Sequence, residues 1–240
     1  MNRFLGCTLV RLLGLLQAVG LSLPAVSAAE RENPPAKPPG LEAPWRAAIY
    51  GFCKLHLQHS AWGLAHCERD HLLAATLARE EGLPIDDEVL FAAAFLHDAG
   101  AFEPFRVEDV DHAERGAQVA GEILSKAGFP MEKLPKVQEA IRGHMFYAKT
   151  AEVPEAVVLH DADTLDFLGN IGISRIFSLT GRHRWAPDLK GALATIQQFQ
   201  KELPEKLLTK AGKKAAKKRV EEMKQFVEGL SGETNGGKSL

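Results

Sequence analysis

Apolar residues recur every three to four positions along most of this chain. Segments with this helical spacing lie near residues 45–58, 63–81, 87–98, 111–127, 132–148 and 154–168. A strand would instead alternate apolar and polar residues, and such alternation is nearly absent, so the pattern predicts an all-α fold. Gly82-Leu83-Pro84 and Gly128-Phe129-Pro130 separate neighbouring segments, because glycine commonly ends a helix and proline cannot continue one.

The N-terminal residues follow a different pattern. Arg3 and Arg11 precede an apolar run, residues 12–23, which is shorter than the roughly 20 residues of a membrane-spanning helix. Val26-Ser27-Ala28 then supplies the small residues that a signal peptidase accepts. We therefore predict a cleaved signal peptide over residues 1–28 and export, with a periplasmic location and no membrane anchor after cleavage. The alternatives are an uncleaved anchor and a buried first helix.

The rest of the chain divides by composition. Residues 29–43 are rich in proline and predict an extended linker, after which Pro44 is well placed to open the first helix of a domain over residues 44–185. Residues 186–230 are rich in lysine and predict one or two amphipathic helices, broken near Pro204, that pack on this domain. Lys206 to Arg219 holds seven basic residues, typical of a solvated helix face or of a surface for an anionic partner. Residues 231–240 predict a disordered tail.

Charge and cysteine content exclude some classes of protein. The 240 residues include 29 Lys plus Arg and 31 Asp plus Glu, and a net charge of −2 argues against a general polyanion binder, so no nucleic-acid polymer is expected as a partner. Cys7 lies in the predicted signal peptide. Cys53 and Cys67 remain, either as a disulfide in an exported protein or as two buried thiols, and the sequence leaves both possibilities open.

Six side chains that can bind metals fall where the helical pattern calls for apolar residues. His97, for example, continues the stripe of Leu90, Ala93 and Ala94. The six residues are His66, His97, Asp98, His112, His144 and Asp161. A single histidine on such a stripe is usually a hydrogen-bonded core residue. All six directed into one bundle would be costly to desolvate unless a cation paired with the carboxylates and accepted the imidazole lone pairs. Imidazole and carboxylate ligands without thiolate suit Fe, Mn, Zn, Ni or Co.

These residues resemble the metal sites of the HD-domain superfamily of phosphohydrolases, named for an adjacent His-Asp pair that here is His97-Asp98. The stretch His66-Cys67-Glu68-Arg69 is similar to the one that holds the first ligand of the family. Asp161, which opens Asp161-Ala162-Asp163-Thr164-Leu165-Asp166, is similar to the last ligand. The resemblance covers about residues 45–185 and is closest to small bacterial HD proteins. It implies an HD-domain-like helical bundle, to which the C-terminal helices are added.

The resemblance also implies a binuclear site, because His112 and His144 match the additional pair of binuclear members. His66, His97, Asp98 and Asp161 would bind one divalent metal ion, and Asp98 would bridge to a second ion held by His112 and His144. A metal-bridging hydroxide would then cleave a phosphomonoester or phosphodiester of a small phosphorylated substrate. Asp98 and Arg69 are the catalytic candidates, with Arg69 expected to contact a phosphoryl oxygen.

Other polar residues close in sequence to these six are expected to support the metal site or the backbone. Glu114 and Asp163 are candidates for orienting His112 and a metal-bound water, whereas Asp166 is expected to cap a helix or satisfy backbone groups. Two other functions stay open. Some HD-domain relatives hold two irons with the same ligands and oxidise an organic substrate with dioxygen. Alternatively, the chain is an exported binding module for a metal or an anion. The sequence indicates neither the substrate nor the oligomeric state.

Overall fold

The computed structural model describes residues 40–149 and 152–240, and within these ranges the fold is all-α, as predicted. Nine α-helices are found there, namely α1 (Pro44–His56), α2 (Leu64–Glu81), α3 (Asp87–Leu96), α4 (His112–Ala127), α5 (Leu134–Arg142), α6 (Pro154–Asp166), α7 (Gly169–Ser178), α8 (Leu189–Glu202) and α9 (Lys210–Glu233). Short 3₁₀ turns occupy Ala99–Ala101, Met131–Lys133 and Leu203–Lys206. The predicted signal peptide, residues 1–28, and most of the predicted linker, residues 29–43, lie outside the described residues.

The helix boundaries follow from local sequence chemistry. Pro44 opens α1, as predicted, because a missing N–H costs nothing in the first turn of a helix. Asp111 caps α4 by accepting hydrogen bonds from the backbone N–H groups of Ala113 (2.9 Å) and Glu114 (3.4 Å). Gly82 and Gly128 end α2 and α4 with φ of 70° and 80°, a left-handed conformation that glycine adopts without a Cβ clash.

Two helices form the centre of the domain. α3 buries every residue from Val89 to Leu96, and α6 buries eleven of its thirteen residues. α2 packs against both of them, α4 packs against α5, and α1 covers α3 and α4. Trp45 of α1 lies edge-on to Phe91 of α3, with ring centroids 5.5 Å apart. Cys53 and Cys67 are both buried and free, so the structure favours two thiols over a disulfide.

The C-terminal helices were predicted in outline. α8 and α9 are separated by the 3₁₀ turn that contains Pro204, and α9 packs against α2, α6, α7 and α8. The predicted tail over residues 231–240 is corrected at its start, because α9 continues to Glu233 and residues 234–239 form turns. No helix among the described residues combines the length and the apolar character needed to cross a membrane.

Two further differences from the sequence pattern concern the middle of the chain. The segment predicted as a helix over residues 132–148 is helical only to Arg142, because Gly143 ends α5 and the chain then turns. His144 therefore lies in a loop and not on a helix. α7, which follows Leu168, was not among the helices that the spacing predicted.

Candidate metal centre

The helix ends around α3 bring five of the six predicted ligands into one buried region. His66 lies in the first turn of α2, His97 and Asp98 follow the last residue of α3, and His112 is the first residue of α4. His144 follows α5 by two residues. His66, His97 and His144 are fully buried, Asp98 is nearly so, and His112 keeps a quarter of its side chain exposed. The region is therefore open to solvent on the side of His112.

Three of the histidines have a fixed orientation because Nδ1 of each ring binds an acceptor. In His97 and His144, Nδ1 lies 2.8 Å from the carbonyl oxygen of Ala94 and 2.6 Å from that of Ile141. In His66, Nδ1 lies 2.8 Å from Oδ2 of Asp166. Carbonyl and carboxylate oxygens only accept hydrogen bonds, so each Nδ1 carries the proton and donates it. Each Nε2 is then a lone pair in the neutral ring, which is the form that binds metals.

These lone pairs converge with carboxylates. Nε2 of His66 lies 3.1 Å from Nε2 of His97, 3.2 Å from Oδ2 of Asp70 and 3.3 Å from Oδ1 of Asp163. Two neutral rings whose protons are on Nδ1 cannot form a hydrogen bond through Nε2, so the short contact requires either a second proton on one of the rings or a metal ion between them. His66, Asp70, His97 and Asp163 each offer one ligand atom, and these atoms all lie within 4.8 Å of one another.

Asp98 joins this set to a second one. Its Oδ2 lies 3.5 Å from Nε2 of His66 and 3.4 Å from Nε2 of His97. Its Oδ1 faces the other way, 3.4 Å from Nε2 of His112 and 3.8 Å from Nε2 of His144. His97, Asp98 and His144 likewise each offer one ligand atom, and these three atoms lie within 4.8 Å of one another. One carboxylate thus presents an oxygen to each of two groups of imidazoles.

Several polar atoms of the two sets lack partners. Among the described residues, six buried side-chain atoms form no hydrogen bond, and four of them belong to the sets: Oδ1 and Oδ2 of Asp70, Oδ2 of Asp163 and Nε2 of His144. An unpaired buried polar atom costs about 1–3 kcal/mol, and more when it is charged. The concentration of such atoms at one place indicates that the donors fit a divalent cation.

The pKa values show how strongly the carboxylates attract positive charge. Burial and the nearby Arg175 lower the pKa of His66, but Asp70, Asp163 and Asp166 outweigh them and raise it to about 10. Burial raises the pKa of Asp98, but His97, His112 and His66 outweigh it and hold the pKa well below its usual range. Burial and His97 lower the pKa of His144 to about 3, so its Nε2 stays unprotonated. A metal ion would supply the charge that a proton on His66 otherwise supplies.

Asp166 orients several groups around the first set. Its Oδ2 accepts hydrogen bonds from His66 and from Arg175 (2.9 Å), and both of its oxygens accept from Arg69 at 2.8 Å. Arg175 is fully buried and also lies over the ring of Phe167, 4.0 Å from its centroid. These contacts with side chains correct the expectation that Asp166 caps a helix or satisfies backbone groups. Arg69, the predicted phosphoryl contact, is held by Asp166 and keeps about a third of its side chain exposed.

Asp161 is the predicted ligand that the structure does not bring into the site. Its Oδ1 accepts a hydrogen bond from the N–H of Leu208 (2.8 Å), and its Oδ2 accepts from the N–H (2.8 Å) and the hydroxyl (2.6 Å) of Thr209. The carboxylate thus anchors the segment that leads into α9. Asp163, two residues further along α6, faces His66 in its place. The structure therefore places Asp163, and not the predicted Asp161, among the candidate ligands.

Two other expectations change in the same region. Glu114 pairs with Arg142 (2.7 Å) on the surface, so it does not orient His112. Asp70 was missed by the sequence reasoning. It lies four residues after His66 on the same face of α2 and is completely buried. The spacing of this pair was the available signal, because side chains at i and i+4 on a helix are neighbours.

The chain is similar to known proteins over the region that holds these side chains. Residues 63–168 match the family model described as the HD domain. A search of curated proteins found no match to the sequence. Three similar solved structures are YpgQ of Bacillus subtilis in complex with ADP, an HD-superfamily hydrolase of Bacillus thuringiensis and a predicted HD superfamily hydrolase of an uncultured Thermotogales bacterium.

The similarity to these structures extends over most of both chains. YpgQ is 22% identical, with a TM-score of 0.62, and the match covers 80% of this chain and 99% of YpgQ. The B. thuringiensis protein is 26% identical, with a TM-score of 0.57 and coverage of 79% and 96%. The Thermotogales protein is 25% identical, with a TM-score of 0.52 and coverage of 79% and 90%. The part of the chain that matches the HD-domain model, residues 63–168, holds both sets of converging side chains.

Proposed function

We propose that this protein is a hydrolase that uses two divalent metal ions to cleave a phosphoester bond of a small substrate. The observation that carries the proposal is the convergence of imidazole lone pairs, with Nε2 of His66 and His97 only 3.1 Å apart, among buried carboxylates that lack partners. The similar proteins of B. thuringiensis and the Thermotogales bacterium are described as hydrolases of the HD superfamily, which supports the same class of reaction here.

The protein offers a distinct group of ligands for each ion. His66, Asp70, His97 and Asp163 would hold the first ion, His112 and His144 would hold the second, and Asp98 would bind both. A pair of divalent ions lowers the pKa of bound water and stabilises negative charge on phosphoryl oxygens. The partial exposure of His112 leaves a route for a substrate to reach this side of the site.

The surrounding residues contribute orientation and charge. Asp166 keeps the proton of His66 on Nδ1 and so directs Nε2 toward the carboxylates. Arg69 uses Nε and one terminal nitrogen to bind Asp166. A guanidinium has five N–H donors, so the remaining donors of this partly exposed side chain are available to a phosphoryl oxygen. Arg69 thus combines positioning of Asp166 with a proposed contact to the substrate.

Metal content is the first test of this proposal. The full chain, purified under anaerobic conditions without an affinity-tag histidine, is analysed by elemental mass spectrometry and then assayed for phosphoester cleavage with Mn²⁺, Ni²⁺ or Co²⁺. We expect about two ions per chain, about one in His112→Gln, and loss of both metal and turnover in Asp98→Asn. His56→Gln, which changes a histidine outside the two sets, serves as the control and should keep both ions.

The outcomes separate the proposal from its alternatives. Metal-free protein that takes up no ion from Fe²⁺ or Mn²⁺ contradicts the metal centre and favours a binding module without a catalytic metal. Tightly bound iron together with oxygen consumption, and no cleavage of any phosphoester, replaces hydrolysis by oxidation. ADP belongs in the substrate panel because YpgQ, which shares the fold, was crystallised with it. Phosphomonoesters and cyclic phosphodiesters complete the panel.

A further inference from the structure

A polar cavity is linked to the candidate metal centre through one buried arginine, Arg175. It has a volume of about 290 Å³ and lies between the loop that precedes α2 and the chain that follows α7. His59 and Trp62 form the wall on the loop side, with their rings stacked at a centroid distance of 4.0 Å. Arg182 and His183 form the opposite wall. The ring of His183 meets Trp62 edge-on at 5.4 Å, so the two walls are in contact.

The polar groups of this cavity are mainly hydrogen-bond donors. Nδ1 of His59 accepts hydrogen bonds from the backbone N–H groups of Ala61 (3.1 Å) and Trp62 (3.4 Å), so the proton of the neutral ring is on Nε2. Nδ1 of His183 likewise accepts from the N–H of Trp185 at 3.3 Å. Arg182 is exposed and forms no ion pair with any described residue. The cavity thus offers a guanidinium and two imidazole N–H groups.

Acidic side chains do not line the cavity. Its other polar lining residues are Gln58, Ser60 and Ser178, and the two serine hydroxyls are already linked at 3.2 Å. A fixed positive charge and several donors without a carboxylate in the lining favour an anion over a cation or a neutral apolar group. Arginine in particular matches the oxygen spacing of a phosphoryl group.

A buried arginine connects the cavity to the metal centre. Nε of Arg175 donates to the carbonyl oxygen of Ala61 (2.6 Å), in the loop that carries His59 and Trp62. The same guanidinium donates to Asp166, which orients His66. The carboxylate of Asp98 is close enough to oppose the effect of burial on the pKa of His59. The loop wall of the cavity is therefore fixed relative to the metal ligands.

We propose that this cavity binds a second phosphoryl group of the substrate while the first lies at the metal centre. The substrate class would then be molecules with two phosphoryl groups, with Arg182, His59 and His183 as the residues that recognise the second one. That the bound molecule is a substrate rests on the proposed hydrolase function. The binding of the anion itself does not depend on metal or turnover.

A binding experiment tests the cavity alone. The full chain, freed of metal with a chelator, is titrated with inorganic pyrophosphate in a calorimeter. We expect Arg182→Gln to weaken binding about tenfold or more, because a charge-assisted hydrogen bond is lost. Arg184→Gln is the matched control, since Arg184 is also an exposed arginine, lies two residues away and does not line the cavity. His59→Gln should weaken binding to a lesser extent.

Several results would overturn the inference. They are absence of pyrophosphate binding by the unchanged protein, equal loss of affinity in Arg182→Gln and Arg184→Gln, and unaltered affinity in Arg182→Gln. Succinate, which carries two carboxylates, is titrated in parallel, and affinity equal to that of pyrophosphate would show that the cavity does not select phosphoryl groups. Far-ultraviolet circular dichroism verifies that each variant is folded.

Kinetic measurements on the metal-loaded protein then test whether the cavity recognises the second phosphoryl group of a substrate during turnover. We expect the ratio of kcat/KM for ADP to that for p-nitrophenyl phosphate to fall about tenfold in Arg182→Gln and to stay the same in Arg184→Gln. Equal effects on both substrates would overturn the assignment of the cavity to the second phosphoryl group. If no phosphoester is cleaved by the unchanged protein, the hydrolase function fails, whereas the pyrophosphate titration still decides whether the cavity binds phosphoryl groups.

Discussion

Asp161 and Asp163 provide a direct test of the metal centre, because they lie on the same helix and have different surroundings. The carboxylate of Asp163 faces His66, and its Oδ2 has no hydrogen-bond partner. The carboxylate of Asp161 instead accepts three hydrogen bonds from Leu208 and Thr209, and its Oδ1 also lies 3.2 Å from Nδ1 of His160. Substituting each by asparagine keeps the size of the side chain and removes its charge. We expect Asp163→Asn to affect metal binding and Asp161→Asn to affect folding stability.

The size of the effect for Asp161→Asn follows from its hydrogen bonds. An asparagine oxygen can retain the two bonds from Thr209, but the amide nitrogen then faces the N–H of Leu208, and two donors cannot pair. Losing one bond to a charged acceptor and leaving a partly buried donor unpaired costs about 3 kcal/mol. For a domain of this size the melting temperature should fall by roughly 6–12 °C. Metal content should not change.

Asp163→Asn should instead act mainly on metal binding. In the metal-free protein its carboxylate lies 3.3 Å from Nε2 of His66. Burial raises the pKa of Asp163, but this contact outweighs burial and holds the pKa below its usual range, so the variant should also lose some stability without metal. A neutral amide is a poorer ligand, and we expect metal affinity to fall at least about 100-fold, equivalent to roughly 2.7 kcal/mol. The rise in melting temperature that saturating metal gives the unchanged protein should shrink by a corresponding amount.

Differential scanning calorimetry of the two variants, with and without added Mn²⁺, measures both effects, and elemental analysis gives the bound metal. Loss of metal in Asp161→Asn with normal metal content in Asp163→Asn would refute the ligand set derived from the structure and restore the one predicted from sequence. Unchanged stability in Asp161→Asn would show that its contacts with Leu208 and Thr209 do not hold α9 in place.

Three further predictions concern the surroundings of the site. Asp166→Asn should lower the free energy of unfolding by about 3–5 kcal/mol in urea denaturation, because it leaves a buried cation without its partner. Gly100→Ala should lower it by about 1–3 kcal/mol and reduce metal content, because a Cβ would collide with the backbone carbonyl of His112. Absorbance at 295 nm should show neither tyrosine ionising near pH 10. Burial and Glu68 raise the pKa of Tyr50 to about 12, burial and Asp111 raise that of Tyr147, and the stability that these shifts provide should be lost as pH rises above 10.

The helical pattern was sufficient to locate most of the fold and most of the site. The predicted segments agree with α1 to α4 and α6 within two residues at each end, because these helices have an apolar face or clear caps. The histidines were identified because each interrupts an apolar stripe. An apolar stripe can be recognised in a sequence only when the opposite face of the helix is polar.

α6 shows where the reasoning stops working. With eleven of thirteen residues buried, it has neighbours on nearly every side, and its polar residues are therefore all enclosed. Periodicity places Asp161 on an apolar face but cannot say which neighbour that face meets. In the structure the neighbour is the start of α9, and the face that carries Asp163 meets the metal centre. Only the tertiary packing of residues distant in sequence decides between the two.

The way in which each histidine is oriented depends on which end of a helix it occupies. His97 and His144 lie at C-terminal ends, where the last backbone carbonyls lack helical partners, and each donates Nδ1–H to the carbonyl three residues earlier. His66 lies in the first turn of α2, where the unpaired backbone groups are N–H donors and cannot accept from an imidazole. Its acceptor has to come from elsewhere in the fold, and Asp166 of α6 supplies it. Of these three ligands, His66 is therefore the one whose orientation depends on the packing of two helices, so Asp166→Asn should weaken metal binding as well as folding.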